Sequence, residues 1–225
     1  MATYVLIHGA ADSGWFWHLL EAELRARGHD VVAPDLPCDD DSAGLAEYTD
    51  TVVGAVGDRT GLVVVAQSFG GFTAPLVCDR LPVDLLVLLA GMVPAPGERP
   101  EDWLAHTGYA DARREQAERE GPPPEDDIGL FFHDVPPDLA AEALRRVRDQ
   151  SGTPGKQPWP LPAWPDVPTR FLLCRDDRLF PAEFMRRVAR DRLGIAADEI
   201  NGSHCVALSR PAELADRLEG FRADL

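Results

Sequence analysis

Ser68 is the side chain that this sequence places best to act as a nucleophile. Residues 63–72 read VVVAQSFGGF, where the valines predict a buried strand and the residues after the serine predict a helix. A tight strand-to-helix turn of this kind presents a serine hydroxyl at the carboxyl edge of a sheet, and it requires small residues two positions before and after the serine. Gly70 meets this requirement, and Ala66 stands where a glycine is usual. The alternative is an ordinary strand–turn–helix that carries a serine by chance.

His204 is the histidine that could serve as a base for this serine. A serine hydroxyl is a weak nucleophile near neutral pH and needs a positioned base. His204 follows the last predicted strand, so its loop leaves the sheet at the same edge as Ser68. The remaining histidines lie in the first loop, around the first helix or in the long insertion, at His8, His18, His29, His106 and His133. We therefore expect His204 to be the base.

A base of this kind needs a carboxylate that orients the imidazole. Asp176 and Asp177 both follow the predicted strand Thr169–Cys174 and emerge at the correct edge of the sheet. We choose Asp177, four residues before the proline that should start the next helix, and Asp176 is the competitor. The resulting order of serine, aspartate and histidine is the one expected for this architecture.

The charge that develops on a carbonyl oxygen during acyl transfer needs hydrogen-bond donors. The backbone N–H of Phe69, the residue after the serine, should supply one donor. We assign the second to the N–H of Ala10, in the loop after the first strand, where Gly9 permits a tight backbone. His8 should have a structural role in that turn, and Asp35 should brace its own loop.

The elements that position these residues alternate between apolar and amphipathic segments, which predicts an α/β fold with a doubly wound, mainly parallel sheet of about six strands and helices on both faces. The predicted strands are Tyr4–Ile7, Val31–Ala33, Leu62–Val65, Leu85–Leu89, Thr169–Cys174 and Ala197–Ile200. The predicted helices of the core are Trp15–Arg27, Ala43–Val56, Phe69–Arg80, Ala182–Arg192 and Pro211–Phe221.

Residues 94–168 interrupt this alternation with a segment rich in charge and proline. We interpret residues 1–93 and 169–225 as the core and 94–168 as a helical cap, with helices over Glu101–Glu120 and Asp138–Asp149. An insertion at the carboxyl edge of a parallel sheet would cover the crevice where such folds bind ligands. The expected pocket is largely apolar and is lined by Trp15, Met92, Trp103, Phe132, Trp159, Leu179 and Phe180, with Phe69, Phe131 and Trp164 as further candidates. Each of these side chains could instead fill an ordinary core.

Composition indicates which binding partners and which cellular compartment to expect. Lys and Arg total 22 against 38 Asp and Glu, which gives a net charge of −16 and disfavours nucleic acid and membrane surfaces as partners. Met1 leads directly into the first strand without a charged leader, so we expect a cytoplasmic protein whose 4 scattered cysteines are free thiols. The cysteines have no metal-binding spacing, and no nucleotide-binding glycine motif follows the first strand.

Together these pieces resemble the α/β-hydrolase superfamily, in the branch of the plant methylesterases, the hydroxynitrile lyases and their bacterial relatives. The resemblance rests on residues 4–10 (YVLIHGA), 14–17 (GWFW), 27–36 (RGHDVVAPDL), the turn at Ser68, residues 177–184 (DRLFPAEF) and residues 202–204 (GSH). It covers both ends of the chain and is weak through the proline-rich cap. It implies an ester hydrolase with Ser68 as nucleophile, His204 as base and Asp177 as acid.

The resemblance also distinguishes hydrolysis from the lyase reaction. Hydroxynitrile lyases of this branch carry a threonine where this chain has Gly9, and a lysine where it has Cys205. Both departures favour hydrolysis. From the pocket and the catalytic residues we expect a small, apolar or aromatic ester that is cleaved through an acyl-enzyme without metal or cofactor. Lyase-like or other non-hydrolytic chemistry in a biosynthetic pathway, and a ligand-binding protein with slow turnover, stay open as alternatives, as does a homodimer.

Overall fold

Six parallel strands form the central sheet of the protein, whose computed structural model describes residues 1–225. The strands are β1 (Thr3–Ile7), β2 (Asp30–Val32), β3 (Leu62–Gln67), β4 (Val83–Leu89), β5 (Thr169–Cys174) and β6 (Asp198–Ile200). Their order is β2-β1-β3-β4-β5-β6, so the chain reverses the direction in which it adds strands between β1 and β3. Such sheets bind ligands outside the carboxyl ends of the strands at this point. The predicted fold class is confirmed.

Helices cover both faces of the sheet. They are α1 (His18–Ala26), α2 (Leu45–Val56), α3 (Ala74–Arg80), α4 (Trp103–His106), α5 (Tyr109–Glu120), α6 (Asp127–Phe131), α7 (Pro137–Arg146), α8 (Thr153–Lys156), α9 (Ala182–Leu193), α10 (Val206–Ser209) and α11 (Pro211–Ala223). Buried residues of α2, α3 and α9 share one hydrophobic cluster, whereas those of α1 and α11 belong to a second cluster on the opposite face. None of the helices combines the length and the apolar composition that crossing a bilayer requires.

The position of β1 inside the sheet explains why its sequence is apolar without interruption. Val5 and Ile7 pack into one cluster, and Tyr4 and Leu6 pack into the other. All four side chains have no exposed surface. A strand with helices on both faces buries both of its alternating sets of side chains, which gives a continuous apolar run rather than an alternating one.

The structure divides several segments that the sequence predicts as single helices. The helix predicted from Phe69 becomes a 3-10 helix, Ser68–Phe72, followed by α3. In the insertion, the segment predicted as one helix breaks at Gly108, which has a φ of +71° and separates α4 from α5. A left-handed residue ends a helix because its backbone cannot continue the right-handed turn. All four cysteines are free thiols, as the sequence predicts.

The insertion between β4 and β5 contains α4 to α8 and is anchored at its start by Glu98. The Glu98 carboxylate is 4% exposed and accepts hydrogen bonds from both terminal nitrogens of Arg192 on α9, at 2.8 and 2.9 Å. It also receives the Ala95 N–H at 3.0 Å and lies 2.9 Å from Nδ1 of His106. This largely buried ion pair joins the insertion to the core.

Glu98→Gln is expected to destabilise the protein by about 2 kcal/mol, because it leaves the partly buried guanidinium of Arg192 without its counter-charge. The free energy of unfolding in urea measures the effect. Glu118→Gln is the matched control, since Glu118 is exposed on α5 and should change stability by less than about 0.5 kcal/mol. Equal effects of the two substitutions would contradict the anchoring role of Glu98.

Candidate active site

Ser68 lies at the carboxyl end of β3 in a strained turn. Its φ is +52°, a left-handed conformation that is unusual for a residue other than glycine. The turn is crowded on the side of β1, because a Cβ atom on Gly70 would lie 2.9 Å from the carbonyl oxygens of Ile7 and His8. The Ser68 carbonyl oxygen accepts a hydrogen bond from the Met92 N–H at 2.9 Å. Strain of this kind persists only where surrounding contacts hold it, and it is common at functional sites.

His204 and Asp177 form a buried pair beside this turn. Nδ1 of His204 lies 2.7 Å from Oδ2 of Asp177, and the two side chains are 5% and 0% exposed. Oδ1 of Asp177 accepts the backbone N–H groups of Leu179 and Phe180 at 2.8 and 3.0 Å. The carboxylate is therefore held by its own loop while its second oxygen orients the imidazole.

The neighbouring aspartate has a different partner. Oδ2 of Asp176 accepts the N–H of Gly202 at 2.8 Å, which ties the loop after β5 to the loop that carries His204. Asp176 makes no hydrogen bond to the imidazole. Of the two carboxylates that the sequence offers, Asp177 is the one that contacts His204.

Ser68 and His204 line the same cavity, which has a volume of about 320 Å³. The Ser68 hydroxyl and Nε2 of His204 do not form a hydrogen bond in the structure, and Nε2 has no other partner. Hydrogen bonds of this kind are often long in unliganded enzymes and tighten when substrate binds. Both groups are therefore free to engage each other or a ligand in the cavity.

The electrostatic setting of His204 favours its charged form. Burial of the ring opposes the charge, but the Asp177 carboxylate, through its charge and its hydrogen bond, and the charge of Asp12 together raise the pKa of His204 above its ordinary value. An imidazole that receives a proton at this position is therefore stabilised as the cation.

The backbone supplies two N–H groups next to Ser68. Ala10 lines the cavity, and its N–H makes no hydrogen bond within the chain. Phe69 stands at the start of a 3-10 helix, where N–H groups have no partner within the helix. These are the two donors that the sequence predicts for an oxyanion.

The loop that carries Ala10 is held from two sides. Ala11, with a φ of +60°, donates its N–H to the side chain of Gln150 at 3.0 Å and accepts the N–H of Arg148 at 2.7 Å. His8 receives the Leu36 N–H on Nε2 at 2.9 Å, so its Nδ1 carries the proton and donates to the Gly9 carbonyl at 2.8 Å. Burial lowers the pKa of His8 to about 4, which keeps the ring neutral in this structural role.

The walls of the cavity include only part of the predicted set. Phe132 and Leu179 line it, together with the further candidate Phe131. The other lining residues that sequence reasoning missed are Ala11, Asp12, Gln67, Asp127, Leu144, Val147 and Cys205. Asp12 and Gln67 could have been found, because they flank the two loops that the sequence assigns to catalysis.

Five predicted lining residues lie elsewhere. Trp103 and Trp159 are buried in the core, and their indole N–H groups donate to the Val93 and Phe72 carbonyl oxygens. Met92 and Phe180 belong to the same cluster, although the Phe180 ring also packs edge-on against His204 at a centroid distance of 5.4 Å. Trp15 stacks on His18 at 4.6 Å and is covered by the Arg146 guanidinium. Large aromatic rings serve the core as readily as a pocket, so their type alone did not distinguish the two.

Asp12 places a second carboxyl group in the cavity. Its side chain lines the same cavity as His204, and the Gly9 backbone is the one hydrogen-bond donor beside it. Burial raises the pKa of Asp12 to about 7, although the charge of His204 and the Gly9 backbone act in the opposite direction. The described residues contain no cluster of three or more His, Cys, Asp or Glu side chains arranged to hold a metal ion.

Asp12→Asn is expected to stabilise the protein more at pH 8 than at pH 5. The carboxyl ionises near 3.8 in the unfolded chain but only near 7 in the folded one, so the cost of folding begins above about pH 4 and is nearly complete at pH 8. We expect the free energy of unfolding to rise by about 2 kcal/mol at pH 8, which is less than the full pKa shift would give because the group also faces the cavity. The rise at pH 5 should be less than half of that. Urea unfolding at the two pH values measures it, and a pH-independent gain would contradict the assigned ionisation.

Sequence similarity to known proteins covers part of the chain in one case and nearly all of it in another. A probable esterase, PIR7A, of Oryza sativa subsp. indica is 36% identical over 109 residues, which cover 42% of this chain and 41% of that protein. Methyl jasmonate esterase 1 of Vitis vinifera is 23% identical over 254 residues, covering 96% of this chain and 95% of its own. This chain thus spans about two fifths of the rice protein in the stronger match.

Solved structures show the same fold. The crystal structure of polyneuridine aldehyde esterase superposes with a TM-score of 0.80 at 20% identity and covers 98% of this chain and 99% of its own. A pyrethroid hydrolase from Sphingobium faniae superposes with a TM-score of 0.77 at 22% identity, covering 99% of this chain and 97% of its own.

The sequence model of a whole family also matches. It is the model of the alpha/beta hydrolase family, and it matches residues 4–217. That range contains Ser68, Asp177 and His204, and it includes nearly all of the sheet. The resemblance drawn from the sequence is confirmed, and the chain belongs to the alpha/beta hydrolase family.

Proposed function

We propose that the protein is a serine hydrolase that cleaves a carboxylic ester through an acyl-enzyme. The observation that carries this proposal is the 2.7 Å contact between His204 and Asp177 at a cavity that Ser68 also lines. An oriented imidazole next to a serine on a strained turn is the arrangement by which a weak hydroxyl becomes a nucleophile. The family and the names of the esterase relatives support the choice of an ester.

In the proposed mechanism, Nε2 of His204 accepts the Ser68 proton while Oγ attacks the ester carbonyl. Asp177 holds the imidazole in the correct tautomer and stabilises its cation. The N–H groups of Ala10 and Phe69 stabilise the oxyanion, and each such donor contributes about 3 kcal/mol in related enzymes. His204 then protonates the departing alcohol, and water hydrolyses the acyl-enzyme by the reverse proton transfers.

The cavity walls suit a small ester with an apolar or aromatic body. Much of the apolar lining of the cavity comes from the segment between β4 and β5, with Phe131, Phe132, Leu144 and Val147. We propose that this segment acts as the cap over the catalytic residues. A cavity of about 320 Å³ is in the range of small-molecule sites.

The test combines turnover with labelling. The purified protein should hydrolyse p-nitrophenyl acetate and should be labelled by a fluorophosphonate at one equivalent per chain, on Ser68. Saturable ligand binding without ester turnover would favour the slow ligand-binding alternative, and rapid cyanide release from mandelonitrile would favour the lyase.

The adjacent residues Asp176 and Asp177 allow a matched test of which aspartate orients His204. Asp177→Asn is expected to lower kcat about 10⁴-fold, because an amide imposes the wrong tautomer on His204. Asp176→Asn removes a carboxylate that bonds only the Gly202 backbone, so kcat should fall less than about 10-fold. Steady-state kinetics on p-nitrophenyl acetate distinguishes the two, and a larger effect at Asp176 would reverse the assignment.

A further inference from the structure

We propose, on the basis of the ester hydrolysis proposed above, that Asp12 selects the substrate by accepting a hydrogen bond from a hydroxyl or ammonium group next to the ester carbonyl. The natural substrate is then an ester that carries a hydrogen-bond donor on the first carbon of its acyl group and has no negative charge. Three features of the cavity support this role: the position of Asp12, an unpaired acceptor oxygen of Gln67 beside it, and the charges that line the cavity.

Gly9 lies beside the place where the donor would bind. A Cβ atom built on Gly9 would lie 3.2 Å from Cβ of Ser68, 3.3 Å from Oδ2 of Asp12 and 2.8 Å from Oε1 of Gln67. The nucleophile and two acceptor oxygens therefore border one small space. A substituent on the first acyl carbon of an ester attacked by Ser68 would be near this space, within reach of both oxygens.

Both oxygens have capacity to accept a donor from a ligand. The Asp12 carboxyl has only the Gly9 backbone beside it as a donor. Gln67 uses only its Nε2, which donates to the His204 carbonyl at 3.1 Å, so its Oε1 has no donor within the chain. That bond fixes the orientation of the amide, so Oε1 is the atom directed at Gly9. Partly buried acceptors are costly without a donor. A ligand that brings one or two donors to this place is therefore favoured over a purely apolar one.

The charges around the cavity disfavour binding of a substrate that carries an anionic group. Asp12 and Asp127 line it, and no lysine or arginine does. The groups that face Asp12 and can titrate are His204 and Cys205, which share this cavity, and His8 and Cys38 on the adjoining loops. His8 stays neutral above its pKa of about 4, and the pKa of each of these thiols is raised, so neither His8 nor the thiols change charge between pH 6 and 8.

The ionisation of Asp12 makes the preference depend on pH. A donor bonds the ionised carboxylate more strongly than the neutral acid. Because the pKa of Asp12 is about 7, the preference for a donor-bearing ester should rise from pH 6 to pH 8. The titration of His204 affects all esters alike, so it cancels when kcat/KM of one ester is divided by that of another.

The experiment compares three methyl esters that differ at one atom group: methyl phenylacetate, methyl mandelate and methyl α-methoxyphenylacetate. The hydroxy ester should exceed the unsubstituted ester in kcat/KM by about 10-fold or more at pH 8. The methoxy ester, which has the oxygen but no donor, should show no such gain. The ratio of hydroxy to unsubstituted ester should be smaller at pH 6.

Two variants and a control locate the effect. Asp12→Leu should bring the ratio close to one, and Asp12→Asn should make it independent of pH. Asp58→Asn removes an exposed carboxylate before β3, at the opposite edge of the sheet, and should keep the wild-type ratio at both pH values.

Equal kcat/KM for the three esters in the wild-type protein, or a ratio that survives Asp12→Leu, would overturn the role of Asp12 and leave the proposed hydrolysis intact. Failure of the protein to hydrolyse any ester, together with no fluorophosphonate labelling, would instead overturn the proposed function and this inference with it. The wild-type comparison needs no variant to fold.

Discussion

Ser68→Ala is expected to reduce kcat for p-nitrophenyl acetate by about 10⁶-fold, the size of effect seen when a nucleophile that acts with its base is removed. The residual rate would come from substrate binding and from the N–H groups of Ala10 and Phe69, which the substitution leaves in place. Because loss of the nucleophile removes the covalent step itself, kcat should carry the loss and KM should change little.

The Ser68→Ala substitution should have little effect on the stability of the fold. The Ser68 hydroxyl forms no hydrogen bond within the chain, and alanine has the same backbone preference at a φ of +52°. The free energy of unfolding should therefore change by less than about 0.5 kcal/mol. Ser42→Ala, at an exposed serine, is the control for activity. Retention of more than one per cent of wild-type turnover in Ser68→Ala would remove Ser68 from the mechanism.

Gly71→Ala should have the largest effect on stability. A Cβ atom at Gly71 would lie 2.0 Å from the carbonyl oxygen of Met92 and 3.0 Å from its backbone nitrogen. These are backbone atoms of the segment that follows β4, and the Met92 N–H also bonds the Ser68 carbonyl. The clash cannot be relieved by a side-chain rotation, so we expect a loss of about 4 kcal/mol.

Gly54→Ala is the matched control within the same fold. A Cβ atom at Gly54, in the last turn of α2, would meet no atom within 4 Å. Alanine there should stabilise the helix by about 0.5–1 kcal/mol, because glycine loses more conformational entropy on folding. Urea unfolding of both variants tests the prediction, and a tolerated Gly71→Ala would mean that the turn after Ser68 can move away from β4.

Where Gly71→Ala folds, its activity is a second readout. The displaced backbone belongs to the 3-10 helix that begins at Ser68, so the hydroxyl and the Phe69 N–H would move together. We expect kcat to fall at least 10-fold, since an error of about 1 Å in a reacting group has effects of this size or larger. Gly54→Ala should leave kcat at the wild-type value.

The signals that sequence reasoning used were local ones. Uninterrupted apolar runs such as Leu62–Val65 predict strands buried on both faces, and the small residues around Ser68 predict a turn too tight for side chains. Both depend on residues within a few positions of each other. The six-stranded fold is confirmed for that reason, while helix ends such as the one at Gly108 were misplaced because capping depends on a single backbone angle.

Contacts between distant segments were decided only by the tertiary structure. The choice between Asp176 and Asp177 depends on which carboxylate faces His204, 27 positions further along the chain from Asp177, and adjacent residues point in different directions. The separation of Phe132 from Trp103 and Trp159 depends on which faces of the insertion meet the core. Residue type and periodicity determine that a side chain is buried, and the packing of whole elements determines whether it is buried against the core or beside the nucleophile.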